Sequence, residues 1–321
     1  MSWVSAVELC AGGGGQALGL ERAGFEHVAL VDIEPHCCAT LKLNRRDWNV
    51  IQADLKAFDA SNYHGIDLLA GGLPCPPFSV AGKQLGHEDE RDLFPTALRL
   101  VEEMRPRALL IENVRGLFDP SFAPYREFIV AQLETLGYCS EWRLLNAADF
   151  GVPQSRPRTI LVAFRDGWPR KFHWPEPKQV KTPTVGQVIG DLMAEDGWEG
   201  AMAWARQADR IAPTIVGGST KHGGPDLGPT RARKMWAEMD VDGLGIADSP
   251  PPPGFTGMPK LTVRMVARLQ GFPDDWQFSG RKTASCRQVG NALPPPLAEA
   301  VGKSIYTALE KSGVLELRKL A

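Results

Sequence analysis

The sequence predicts an α/β protein, a doubly wound and mostly parallel sheet followed by a smaller, irregular second domain. Three observations predict it. Short apolar runs alternate with helix-periodic stretches through the first part of the chain. A glycine-rich turn, Ala11-Gly12-Gly13-Gly14-Gly15-Gln16, joins the first apolar run to the first helical stretch. From about Trp168 the alternation stops, and Pro, Gly and Trp become frequent.

Val4 to Leu9 reads as the first strand, and Ala17 to Ala23 beyond the glycines has helical spacing. Strand, glycine-rich turn and helix form the nucleotide-binding start of a doubly wound sheet, although a plain loop has the same composition. The next strand, Val28 to Val31, ends at Asp32, 20 residues after Gly12. At that separation an acid meets a ribose hydroxyl pair; the same acid can instead cap the helix Pro35 to Asn44. Val50 to Asp54 is a third short strand ending in an acid, placed either to meet an adenine amine or to begin a turn.

Ile66 to Ala70 is a fourth, buried strand, and it runs into Gly71-Gly72-Leu73-Pro74-Cys75-Pro76-Pro77-Phe78-Ser79. Three prolines hold Cys75 in a stiff loop at a strand end, where α/β sheets do their chemistry. An arbitrary cysteine is more often a small buried hydrophobe. Gly82 to Asp92 is polar, with few apolar anchors, and is expected to be mobile, with Gly82 and Gly86 as hinges. Phe94 to Met104 is an amphipathic helix, and Ala108 to Ile111 is a fifth strand that ends in Glu112-Asn113-Val114. A carboxylate there reaches the same crevice as Cys75 or serves as a turn cap. A helix over Arg126 to Leu136 precedes two strands, Tyr138 to Leu145 and Arg158 to Phe164. Arg156 and Arg158 alternate on an extended segment and so face one side.

These readings divide the chain into residues 1–167, a second domain over 168–260, and a return segment over 261–321 whose last helix, Leu297 to Leu317, packs back on the first domain. No apolar run approaches the ~18 residues of a membrane span, and the N-terminus lacks a signal-peptide pattern. A cytoplasmic protein is expected. The six cysteines form no CxxC pair, so neither a metal site nor a disulfide framework is expected. Net charge is −2, yet Gln154 to Gln187 carries seven Lys/Arg against two acids. Arg206 to Lys234 and Gly254 to Asn291 each carry six against two. That asymmetry suggests a side that faces a polyanion, unless the charges are simply solvated loops.

Taken together, the motifs resemble the DNA (cytosine-5) methyltransferase family across nearly the whole chain. Glu8-Leu9-Cys10-Ala11-Gly12-Gly13-Gly14-Gly15 resembles its first motif, Pro74-Cys75 with Phe78-Ser79 its nucleophile loop, and Glu112-Asn113-Val114 its catalytic glutamate motif. Gln154, Arg156 and Arg158 match its Gln-x-Arg-x-Arg motif. Leu261-Thr262 with Ala267 to Phe272, then Gln288 to Pro294, are similar to its ninth and tenth motifs, in the family's order. The sequence departs from the pattern at Cys10, usually Phe, at Pro76, often Gln, and at Met265-Val266, commonly Glu-Cys.

The resemblance implies the sheet of the S-adenosylmethionine-dependent methyltransferases with a target recognition domain at 168–260. It implies transfer of a methyl group to C5 of a cytosine flipped out of duplex DNA, without a metal. Cys75 would be the nucleophile toward C6, Glu112 would act at N3, Arg158 would meet the base carbonyl, and Arg156 would support the loop or a phosphate. Cys10, Gly12, Gly13, Gly15, Asp32, Ile33, Asp54, Leu55, Pro74, Leu93 and Asn291 would border the cofactor. Ser79, Gln154, Thr214, Lys221, Arg231 and Arg233 would contact DNA. A monomer of restriction–modification type is expected, with a cognate endonuclease acting on the same site. A tRNA cytosine methyltransferase is the alternative; the proline-rich variable region and the lack of a Cys-Phe-Thr signature disfavour it. A nicotinamide dehydrogenase would leave Cys75, Glu112 and Arg158 without roles, and intact Cys75 and Glu112 argue against a non-catalytic DNA-binding module.

Overall fold

A computed structural model of the chain describes residues 4–74, 92–217 and 225–310. Cys75, Ser79, Lys221, the hinge positions Gly82 and Gly86, and the expected helix beyond Glu310 lie outside the described residues.

The apolar runs become a seven-stranded sheet. Its strands are β1 (Val4–Leu9), β2 (Phe25–Asp32), β3 (Val50–Gln52), β4 (Leu68–Gly72), β5 (Ala108–Val114), β6 (Tyr138–Asn146) and β7 (Pro157–Arg165), in the order β3-β2-β1-β4-β5-β7-β6. The first five are parallel, and β7 enters antiparallel between β5 and β6. The order reverses between β1 and β4, so the crevice at their carboxyl ends is the topological switch point where ligands bind in such sheets.

Helices cover both faces. On one face α1 (Gly15–Ala23) lies against α10 (Pro295–Glu310), with Leu20, Leu297, Val301 and Ile305 buried on Leu68, Leu110 and Val162. On the other, α3 (Phe94–Met104) and α4 (Ala123–Thr135) bury Leu100, Met104, Ile129 and Leu133 on Leu69, Leu109 and Leu161. α2 (Pro35–Asn44) closes the β3 edge through Cys38 and Leu41. Strand residues of alternating side thus feed two cores, as a sheet buried on both faces requires.

The second region is largely irregular, as expected, yet it carries short helices. It contains α5 (Val185–Ala194), α6 (Ala201–Gln207) and α7 (Thr230–Ala237), and joins α8 (Val263–Leu269) and α9 (Lys282–Asn291) around a separate core. Trp204 and Trp236, read as part of a loop-like texture, are buried at its centre. Two large aromatic side chains supply the apolar area that short helices cannot provide by periodicity alone. Thr184 and Thr262 cap α5 and α8, each accepting a backbone hydrogen bond from the third helical residue. β7 ends at Arg165, just before the change of texture at Trp168, yet the chain stays on the sheet's core beyond it. Trp168, Phe172 and Trp174 still pack edge-to-face as a chain of rings that begins on Phe164 of β7.

Candidate active site

The turn between β1 and α1 divides its glycines by role. Gly12 has φ +56°, and a Cβ added there would meet only the Cys10 carbonyl oxygen, at 3.9 Å, so its backbone is bare toward the crevice. Gly13 and Gly15 face protein instead. A Cβ on Gly15 would lie 2.3 Å from the carbonyl oxygen of Leu293, and one on Gly13 would meet Gln288 and Phe278. Their lack of a side chain admits the return segment. Trp276 Nε1 donates to the Gly13 carbonyl at 3.0 Å from below.

Asp32, at the end of β2, accepts from Gly12 N at 2.7 Å with one oxygen and from Glu34 N at 2.8 Å with the other. It therefore ties the turn to the second strand. A carboxylate has about four acceptor positions, so a hydroxyl pair can still be taken. Burial holds its carboxyl above the usual range, offset by those backbone N–H groups. Next to it Ile33 stands 59% exposed at the strand end, a bare apolar surface fit for a flat ring. Asp54 is exposed and accepts from Lys56 N at 2.9 Å. Leu55 is buried in the sheet core. Leu93 is half-buried against the same core, and Pro74 and Asn291 are exposed. Cys10 has φ +52°, a left-handed conformation that is costly for a non-glycine residue. Burial and the carboxylates of Asp32, Glu8 and Asp54 push its thiol up to about 12, so it is a small wall and not a nucleophile. A bare glycine backbone, a ribose-type acid and an exposed apolar residue in one crevice fit an adenosine-bearing cofactor.

One residue here was quoted in the first motif without a role. Glu8 is fully buried on β1 and accepts from the backbone N–H of Ala17, in the first turn of α1. α1 has no side-chain cap of its own, so Glu8 caps it from the neighbouring strand. Burial raises its carboxyl well above the usual range, and among the described residues Oε2 has no partner. The signal was in the alternation: an acid between Val7 and Leu9 must point to the opposite face.

One strand further along, Gly72 pairs with Glu112 across β4 and β5. A Cβ on Gly72 would lie 3.2 Å from Glu112 Oε2, so the glycine makes room for the carboxylate. Glu112 pairs with Ile160 and Val114 with Arg158 across β5 and β7, so Glu112 and Arg158 are diagonal neighbours on one face. Glu112 Oε1 and Arg158 Nε lie 2.8 Å apart. The Nε–H is not aligned with the carboxylate, so this is a charge contact more than a directed hydrogen bond. Burial raises the Glu112 carboxyl above the usual range, and Arg158 and then Arg156 pull it back. Burial and the neighbouring Arg158 hold the Arg156 guanidinium well below its usual range. Asn113 Nδ2 donates to Leu73 O at 3.1 Å and so anchors the chain just before Pro74 and Cys75.

Arg156 does not reach a phosphate. It is fully buried, and its guanidinium donates to the carbonyls of Ile215, Gly290 and Ala292. Gln154, expected to touch DNA, is also wholly buried: its amide donates to Gln270 Oε1 at 2.6 Å, and its carbonyl accepts from Ile215 N at 2.9 Å. Both are internal struts, because their partners come from distant segments that pack over them. Thr214 is half-buried, with its hydroxyl donating to Ser155 O at 2.7 Å. Arg231 is exposed on α7, and Arg233 is half-buried there, donating to Thr230 Oγ1 at 3.3 Å. Among the described residues no cluster of three His, Cys, Asp or Glu side chains is placed to hold a metal ion, and no helix is long and apolar enough to cross a membrane.

Comparison with known proteins identifies the family and agrees with the fold. The profile of the family described as C-5 cytosine-specific DNA methylase matches residues 4–307. The Type II methyltransferase M.NaeI of Lentzea aerocolonigenes is 56% identical over 319 residues, which cover 98% of this chain and 77% of that protein. The Type II methyltransferase M.NgoMIV of Neisseria gonorrhoeae is 56% identical over 310 residues, 96% of this chain and 98% of that protein. Among solved structures, a mutant of Spodoptera frugiperda DNMT2 superposes with a TM-score of 0.66 at 18% identity, over 95% of this chain and 100% of that one, a likeness of fold.

Proposed function

The chain belongs to the C-5 cytosine-specific DNA methylases and is a DNA (cytosine-5) methyltransferase, and from that premise we propose how its residues divide the reaction. The cofactor is S-adenosylmethionine, which when bound supplies the methyl group. Gly12 brings bare backbone to its methionine end, Asp32 takes the ribose hydroxyls and Ile33 lies on the adenine. Asp54 meets the adenine amine, and Pro74, Leu93 and Asn291 complete the rim. The target cytosine leaves the duplex and enters the crevice, at a cost of about a few kcal/mol.

Cys75 then adds as thiolate to C6 of the cytosine, forming a C–S bond and sending electron density toward N3 and C5. Glu112 donates a proton at N3, so that no full negative charge builds on the ring. Its raised carboxyl supports this role, since burial favours the protonated form. Arg158 donates to the base carbonyl and holds Glu112 in place. After methylation, loss of the C5 proton and departure of the Cys75 sulfur restore the ring.

The single observation that supports the reading most is the buried Glu112–Arg158 pair beside Gly72, at the strand ends that lead to Cys75 on one side and to Gly12 on the other. We further propose a monomer that modifies duplex DNA as the partner of a restriction endonuclease, since the 56% identical relatives are Type II methyltransferases. In the test, purified protein receives labelled S-adenosylmethionine with duplex DNA or with tRNA. DNA is expected to be labelled at cytosine C5, and 5-fluorocytosine DNA to be trapped covalently. A Cys75→Ala variant that still methylates would sink the mechanism, and labelling of tRNA alone would favour the alternative substrate. Bisulfite sequencing of DNA from expressing cells identifies the target site.

A further inference from the structure

Residues 212–217 of the second region lie on the first domain as a short strap, bonded on one side and in close contact on the other. On one side, Ala212 N donates to Pro153 O and Ser155 N to Ala212 O, both at 2.8 Å. The Thr214 hydroxyl bonds Ser155, Ile215 N bonds Gln154, and Arg156 bonds the Ile215 carbonyl. On the other side, the strap touches the end of α9. A Cβ on Gly290 would lie 2.3 Å from Gly217 N, and a Cβ on Gly217 would lie 2.6 Å from Asn291 Oδ1 and 3.0 Å from the Arg287 carbonyl. Neither glycine has a positive φ, so what demands them is close approach and not conformation. Arg156 bridges the two sides, donating to Ile215 on the strap and to Gly290 and Ala292 around Asn291.

We infer that Gly217 is a positioning residue for Asn291, and that the 212–217 strap links occupancy of the cofactor pocket to binding of DNA. The inference rests on the reading that Asn291 borders the cofactor. The strap carries Thr214, expected from the resemblance to contact DNA, and ends in contact with the Asn291 amide. An arrangement of the strap that suits one ligand therefore sets the side chain used by the other. By linkage each ligand then tightens the other by the same factor. The absence of a side chain at 217 is what allows Asn291 Oδ1 to sit where it does.

The test measures binding of S-adenosylhomocysteine, with and without a saturating duplex that carries the target site, for wild type, Gly217→Ala, Asn291→Ala and the double variant. Gly217→Ala is expected to weaken the ligand about fivefold or more and to bring the DNA-dependent gain close to one. Asn291→Ala is expected to weaken it as well, and Gly217→Ala is expected to add nothing in the Asn291→Ala background, because the first change acts through the second residue. Normal affinity in Gly217→Ala beside a weakened Asn291→Ala, or losses that simply multiply in the double variant, overturns the linkage alone. Normal affinity in Asn291→Ala overturns the cofactor reading on which it rests. Hydrogen exchange on the wild-type protein needs no variant to fold. Ligand binding should slow the amides of 215–217 about fivefold or more, and unchanged exchange there counts against the strap.

Discussion

Glu112 and Arg158 face each other across β5 and β7 with 2.8 Å between Oε1 and Nε, both almost wholly out of solvent. A carboxylate buried this way needs its counter-charge only while it is ionised. Arg158→Ala should therefore destabilise the protein by about 3 kcal/mol at high pH, with Glu112 ionised, and by less at low pH, with Glu112 protonated. Urea unfolding at the two pH values measures the difference; equal losses would count against the pair being a charge pair.

The sign for Glu112 itself follows from its raised carboxyl. The native state holds the proton more firmly than the unfolded chain does. This contribution to stability is fully present below the ordinary carboxylate range and is lost as pH rises through the raised value. Methyl transfer that uses the same proton should fall over the same interval. Glu112→Gln should cut single-turnover rates about 100-fold or more and remove that falling limb, leaving S-adenosylhomocysteine affinity within about twofold.

Gly12 and Gly15 should separate binding from folding. Gly12→Ala meets only an ordinary contact with the Cys10 carbonyl oxygen and a left-handed backbone, a cost of about 1–2 kcal/mol, so the chain should fold and bind S-adenosylhomocysteine at least tenfold more weakly. Gly15→Ala would drive a Cβ into the Leu293 carbonyl, so its melting temperature should drop sharply. Calorimetric binding and thermal melts of both variants check the division.

Arg156→Ala should behave as a fold variant. Its removal leaves the carbonyls of Ile215, Gly290 and Ala292 without their donor, on the order of 3 kcal/mol in sum. The midpoint of denaturant unfolding should fall while the slope of DNA affinity against salt stays unchanged, because no phosphate contact is lost.

Much of the sheet was legible in the sequence because strands buried on both faces read as unbroken apolar runs, as in Leu68 to Ala70 and Leu109 to Ile111. Glu112 was legible as an acid that ends such a run. Gln154 and Arg156 were not legible as struts, since polar side chains are mostly exposed and their partners at 215, 270, 290 and 292 are remote in sequence. Gly13 and Gly15 looked like Gly12 for a similar reason: the segment each one admits, around Gln288 and Leu293, comes from the far end of the chain.

The reversed direction of β7 sets where this chain can change length. β7 begins at the reactive edge with Pro157 and Arg158 and ends beside the start of β5, where Arg165 N bonds Arg107 O. A one-residue slip of β7 against β5 would turn Arg158 away from Glu112 and abolish the pair. The chain leaving β7 carries no such constraint, since it departs from the opposite edge before it builds the second region. Changes of length after β7 therefore leave the Glu112–Arg158 pair in place, whereas the segment just before β7 is held by the buried Gln154 and Arg156.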